Sequence, residues 1–139
     1  MRLVHQSTGA VLARHVEVAL TRASRRRGLL GRAALEDGAA LILAPCVAVH
    51  TAFMRFPIDV VFVDRQGIVT RVAALAPWRA AAHFGAAAVV ELAAGAARDI
   101  RAGDRLYLLD RSGEPGASAS PFSSASLRRT ASMPACSGS

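Results

Sequence analysis

Over the first 110 residues the apolar positions fall in short runs broken by turn-forming residues, and most runs follow the two-residue period of a half-buried strand. His15-Val-Glu-Val-Ala-Leu20 alternates polar and apolar side chains. Leu3-Val-His5 and Ala10-Val-Leu-Ala13 flank Gln6-Ser-Thr-Gly9, which predicts an opening hairpin. The clearest hairpin is Ile58 to Val63 and Ile68 to Leu75, joined by Asp64-Arg-Gln-Gly67, because both arms are rich in β-branched residues. Ala39 to Ala44 is continuously apolar up to Pro45 and reads as a buried strand; 87–92 and 105–109 read as two more. Thr21 suits a helix N-cap, and the following Ala, Arg and Leu residues predict a short helix ended by glycine at Gly31. Residues 76–85, with Pro77, Trp78, Arg79 and His83, read as a loop, and 95–103 as a short helix or turn. Many short strands with frequent turns predict a mainly β fold: a compact, closed or sandwich-like β domain with one or two short helices.

A chain of 139 residues is long enough to bury one core without metal or disulfide staples. The domain is expected over 1–111. From Ser112 the composition turns to Ser, Gly, Ala and Pro, which bury too little apolar surface to repay chain ordering, so 112–139 is expected to be a disordered tail. Cys46 lies in the domain and Cys136 in the tail, so no disulfide framework is expected, and a reducing, cytoplasmic setting fits. Met1 leads directly into a strand pattern with no apolar signal core, and no run is long enough to span a bilayer. A cell-envelope location is the alternative if the start is misassigned.

The formal net charge of +7 raises nucleic-acid binding. All 17 basic residues are arginine in an Ala-rich chain, which points to coding bias, and one Trp and one Tyr offer few stacking platforms. Nucleic acid is therefore not expected as a partner.

The chemistry concentrates in Cys46-Val-Ala-Val-His50-Thr51-Ala-Phe-Met54-Arg55-Phe-Pro57-Ile-Asp59, where a thiol, an imidazole, a cation and a carboxylate interrupt apolar runs. Ionisable groups among Val, Ile and Phe are costly unless they pair or bind something. Arg27 falls on the helix face of Ala23 and Leu30, directed toward the protein. Asp59 needs Arg, Thr51 or backbone donors, with Arg27, Arg32 and Arg55 as available cations. Glu91, in a strand between Val90 and Leu92, is open to either a solvent or a site position.

These blocks also carry a resemblance. Arg27-Gly-Leu-Leu-Gly-Arg32, Cys46-x3-His50-Thr51-x2-Met54-x2-Pro57-Ile-Asp59-Val-Val-Phe-x-Asp64-x2-Gly67, Glu91-Leu-x2-Gly95 and Gly103-Asp104 occur in the order found in the domain of unknown function 192, a family of bacterial and archaeal proteins that this chain resembles over residues 3–110. The resemblance implies a compact, mainly β domain and no established activity. Many relatives carry Trp-Met-Lys-Asn-Thr where this chain has Val49-His50-Thr51 and Met54-Arg55, which implies a site that differs between subgroups.

Three functional readings follow. The first is a binding module whose polar pocket, built from Arg27, Cys46, His50, Thr51, Arg55, Asp59 and Glu91, takes an anionic or hydroxyl-rich small ligand, since guanidinium presents a planar donor fork to carboxylate or phosphate. The second is a hydrolase or transferase using Cys46 as nucleophile with His50 as base. The third is an envelope-associated assembly accessory in which the cluster is purely structural. No spacing matches a metal site, no cofactor is implied, and no protein partner is indicated.

Overall fold

The computed structural model describes residues 1–110, 113–115 and 120–132, with only the backbone described at 26, 27, 131 and 132. Ten strands and two helices occur among them, in the order β1 Arg2–His5, β2 Val11–Ala13, β3 His15–Ala19, α1 Arg22–Arg27, β4 Ala39–Leu43, β5 Ala48–His50, β6 Ile58–Val63, β7 Val69–Leu75, β8 Ala80–Ala82, β9 Ala88–Ala93, β10 Leu106–Leu109 and α2 Ser124–Ser132. The fold is mainly β, in several sheets that do not close into a barrel, so of the two expected architectures the sandwich-like one holds.

A five-stranded sheet in the order β3-β4-β9-β6-β7 forms the centre. Only β3 and β4 run parallel, and a parallel neighbour demands a crossover, which α1 and the turns after it supply. All six residues of β6 and of β9 are buried, as expected of strands covered on both faces. Strand alternation then divides the interior. Ile42, Val61, Val63, Val90 and Leu92 face the three-stranded sheet β10-β1-β2 and pack with Leu3, Leu106 and Leu108. Leu41, Leu43, Ile58, Val60, Phe62 and Val89 face the other way, against Leu29 and Leu35 of the crossover and Val49, Met54 and Ala81 around the small β5-β8 ribbon.

Both expected hairpins are present. In the second, Asp64 Oδ1 accepts from Gln66 N and Ile68 N, both at 2.9 Å, which shapes the turn. Gly67 there has φ +89°, and a Cβ would collide with the Leu106 carbonyl and the Phe122 ring, so only glycine fits. Thr21 caps α1 in a reciprocal box with Ser24. The helix stops at Gly28 rather than Gly31, because Gly28 already turns to φ 43° and its N–H closes on Ser24 O at 3.0 Å.

Two regions depart from the sequence reading. Residues 80–82, expected within a loop, form β8 against β5, a pairing between segments some 30 residues apart in which every β8 residue is alanine. In the stretch whose composition predicts a disordered tail, 120–132 instead pack on the domain: Phe122 N donates to Arg65 O at 3.0 Å, and Phe122 and Leu127 are fully buried in the core shared by the two larger sheets. Two large apolar side chains suffice to anchor a nine-residue helix whose average composition is polar. Residues 111, 112, 116–119 and 133–139 lie outside the described residues.

Candidate functional site

Polar residues of the stretch from Cys46 to Asp59 divide into those that hold the fold and those that line a cleft. Thr51 belongs to the first group. It is fully buried, its Oγ1 donates to Ala76 O at 2.6 Å and accepts from Arg79 N at 2.8 Å, and its carbonyl accepts from Met54 N and Trp78 N. Every polar atom of Thr51 is used in tying 51–54 to 76–79. Asp59 is likewise structural in its contacts: it faces the apolar side of the sheet, beside Leu92, and Oδ2 accepts from Gly95 N at 3.0 Å and Ala97 N at 2.9 Å. Among the described residues its partners are the backbone donors of those expected, and neither Arg32 nor Arg55 is one of them. Arg32 pairs instead with Glu17 at 2.6 Å on the surface, and Arg55 is exposed. The side chain of Arg27 lies outside what the structure describes. Asp104, read as a turn former, accepts from Arg101 N and approaches His5 Nε2, both at 2.9 Å.

The cleft opens on the other face of the sheet. It has a volume of about 260 Å³, and Arg22, Arg25, Cys46, His50, Met54 and Glu91 line it together with Leu29, Leu43 and Val49. Three of the seven expected site residues thus converge: Cys46, His50 and Glu91. Thr51, Arg55 and Asp59 do not, because Thr51 is consumed by its loop contacts, Arg55 follows an exposed turn, and alternation sends Asp59 through the sheet.

Glu91 sits at the centre of the sheet, between Leu41 of β4 and Val60 of β6. It is 4% exposed, and its Oε2 is buried without a hydrogen-bond partner, alone in this respect among the described side chains. Burial pushes its carboxyl up to about 7, opposed by the nearby Arg32 guanidinium, so at neutral pH the group is divided between acid and carboxylate. An acceptor left unsatisfied in a buried strand is costly, roughly 1–3 kcal/mol, and such costs persist where a ligand or an ordered water discharges them.

Cys46 borders the same cleft. Its Sγ donates to Ala48 O at 3.1 Å, and burial raises the thiol pKa above the usual value; the Ala48 bond and Arg25 oppose this, while Glu91 adds to it. Among the described residues no hydrogen bond joins Cys46 to His50, which stands exposed at the end of β5. A half-buried thiol held protonated is a poor nucleophile at neutral pH. Arg25 donates to Leu20 O at 2.7 Å and Ala44 O at 3.3 Å, which fixes α1 against the ends of β3 and β4. No group of three or more His, Cys, Asp and Glu arranged to hold a metal occurs among the described residues, and no described helix is long and apolar enough to cross a membrane.

Sequence reasoning passed over Arg22, Arg25, Leu29 and Met54 as cleft residues. Arg25 and Arg22 share one helix face, a usable signal, but only the crossover turns that face toward β9.

Two solved structures share this architecture. A candidate transcription regulator from Sinorhizobium meliloti 1021 is similar with a TM-score of 0.64 and 22% identity, over 76% of this chain and 88% of that one. A protein of unknown function from Novosphingobium aromaticivorans DSM 12444 is similar with a TM-score of 0.62 and 25% identity, over 78% of this chain and 93% of that one. No curated protein matches the chain. A family model matches residues 3–108, the whole span of the packed β domain from β1 into β10, and the chain belongs to that family, DUF192, described as Uncharacterized ACR.

Proposed function

We propose that the chain is a small-ligand binding domain, and that its ligand is an anion that also carries a hydroxyl group. The observation that carries this reading is the unpartnered Oε2 of Glu91 in a cleft lined by two arginines. A hydroxyl donates to the Glu91 carboxylate, while an anionic group meets Arg22, whose guanidinium fork suits carboxylate or phosphate. The apolar walls of Leu29, Leu43, Val49 and Met54 exclude water and strengthen both contacts. The cleft is below the roughly 300–1,000 Å³ of drug-sized sites, so the ligand is small.

A thermal-shift screen over hydroxy acids, polyols and phosphorylated polyols tests the reading. A ligand present at about 100 times its Kd adds about 2.7 kcal/mol of stability. Stabilisation is expected from compounds bearing both groups and from neither simple polyols nor simple carboxylates to the same degree. Glu91→Leu is expected to abolish the shift, and Arg22→Ala to weaken it. A flat screen, or a shift that survives Glu91→Leu, overturns the proposal.

A further inference from the structure

Phe53 and Trp78 are the two non-glycine residues with positive φ among those described, each at 64°. Bulky side chains in this region are strained and persist only where the surroundings over-determine the backbone. Here the buried Thr51 does so, since its carbonyl binds the N–H groups of Met54 and Trp78 and its hydroxyl binds the N–H of Arg79. The outcome of that strain is exposure. Phe53 is 74% and Trp78 59% accessible, and their rings pack on each other with centroids 4.6 Å apart at 58°. A fold that merely needed to hide two aromatic rings has no use for conformations that hold them outward.

The charge along the two segments that carry them has one sign. Arg55 and Arg79 are exposed beside the two rings in sequence, and neither 38–58 nor 65–90 contains an Asp or Glu. Three kinds of occupant compete. A second copy of the chain brings Arg55 and Arg79 against like charges, which costs free energy. A nucleic-acid strand is held by a basic groove that tracks several phosphates, and the two arginines beside these protruding rings fall short of one. An anionic bilayer takes both features, because its surface attracts arginine and its headgroup layer accommodates aromatic rings at loop tips.

We infer that the Phe53–Trp78 tip, with Arg55 and Arg79, is a docking surface for anionic phospholipid membranes. Docking is peripheral: two rings and two cations reach the headgroup layer. This surface stands apart from occupancy of the Glu91 cleft, although the two share a segment, with Met54 lining the cleft and Phe53 beside it facing outward.

Trp78 is the only tryptophan in the chain, so its fluorescence reads the tip directly. The full chain is mixed with vesicles of phosphatidylcholine alone and with vesicles of equal parts phosphatidylcholine and phosphatidylglycerol, and both co-sedimentation and Trp78 emission are recorded. The expected result is sedimentation with the mixed vesicles, a blue shift of emission and quenching by brominated acyl chains, all reversed by high salt. Phe53→Asn keeps a residue tolerant of positive φ and removes the ring; it is expected to lower the bound fraction several-fold, as is Arg55→Gln, with thermal stability unchanged. Sedimentation without a change in Trp78 emission means charge alone and overturns the inference. Equal binding to both vesicle types, or no binding to either, also overturns it; the latter, accompanied by emission changes on adding an acidic protein or oligonucleotide, reassigns the surface to that partner.

Discussion

Two buried carboxylates lie in register-paired strands of one sheet, and their fates differ. Asp59 in β6 and Glu91 in β9 are 7% and 4% exposed. Asp59 points to the face shared with the three-stranded sheet, and the turn after β9 wraps its Oδ2 with two backbone N–H groups. Glu91 points to the face covered by α1 and the β5–β8 ribbon, where no donor among the described residues reaches Oε2. Burial alone therefore does not mark a functional carboxylate. The mark is burial without the hydrogen bonds that make it tolerable, at a place where a cleft gives access.

The largest expected effect comes from breaking the satisfied partner. Asp59→Ala strands the amides of Gly95 and Ala97 and is expected to cost about 3–5 kcal/mol, since hydrogen bonds to a charged group contribute roughly 1.5–3 kcal/mol each; Asp59→Asn, which keeps an acceptor, is expected to lose less than half of that. Urea denaturation of the two variants measures the difference, and equal losses would assign the effect to packing instead.

Glu91 makes the opposite prediction, and its sign depends on pH. Its folded pKa is raised from 4.5 to about 7, so between these values the folded chain holds a proton that the unfolded chain has released. Stability from this group is fully present below about pH 4.5 and is lost as pH rises through about 7, with a total of order 3 kcal/mol. Glu91→Gln removes that slope. The variant is expected to gain on the native chain between pH 5 and pH 8 in denaturation midpoints, and parallel profiles across that range would sink the idea.

Thr51→Val sharpens the contrast by removing a satisfied hydroxyl from a third location. Leaving the Arg79 amide and the Ala76 carbonyl without it is expected to cost about 1–3 kcal/mol and to change Trp78 emission, because the loop that holds Trp78 is released. Cys46, judged by its raised thiol pKa, is expected to react with iodoacetamide at pH 7 more slowly than glutathione in a Cys136→Ser background. A faster rate would revive nucleophilic chemistry at the cleft. The smallest effect belongs to Arg32→Ala. Its exposed pair with Glu17 contributes no more than about 1 kcal/mol, yet Arg32 is the cation that opposes the raised pKa of Glu91, so the loss of stability with pH is expected to shift to higher pH in titrations of that variant.

Much of the fold was legible in the sequence because it is local. Alternation at His15 to Leu20, the Asp64–Gly67 turn between two β-branched arms, and the Thr21 cap each act within a few residues, and the structure realises them in β3, the β6–β7 hairpin and α1. Less of the site was legible. Cys46, His50 and Glu91 stand out as polar residues in apolar runs, and they do meet at the cleft. Asp59 and Thr51 stand out in the same way, but the hydrogen-bond partners that satisfy them come from residues 25 to 38 positions away. Nothing in the spacing of Cys46 and His50 foretells that the thiol turns to Ala48 O instead of the imidazole.

By itself the sequence determined the strands other than β5 and β8, their turns, and the small set of polar residues whose burial would need a reason, since period, turn chemistry and transfer cost are properties of short segments. Tertiary structure alone decided which of those residues are satisfied. It wrapped the turn at 95–97 over Asp59, tied Thr51 to 76–79, drew Phe122 and Leu127 of a polar stretch into the core, and left Glu91 facing a cleft without a partner. The physical reason is that hydrogen-bond satisfaction is settled by groups distant in sequence, which come within 3 Å only when the sheets have assembled.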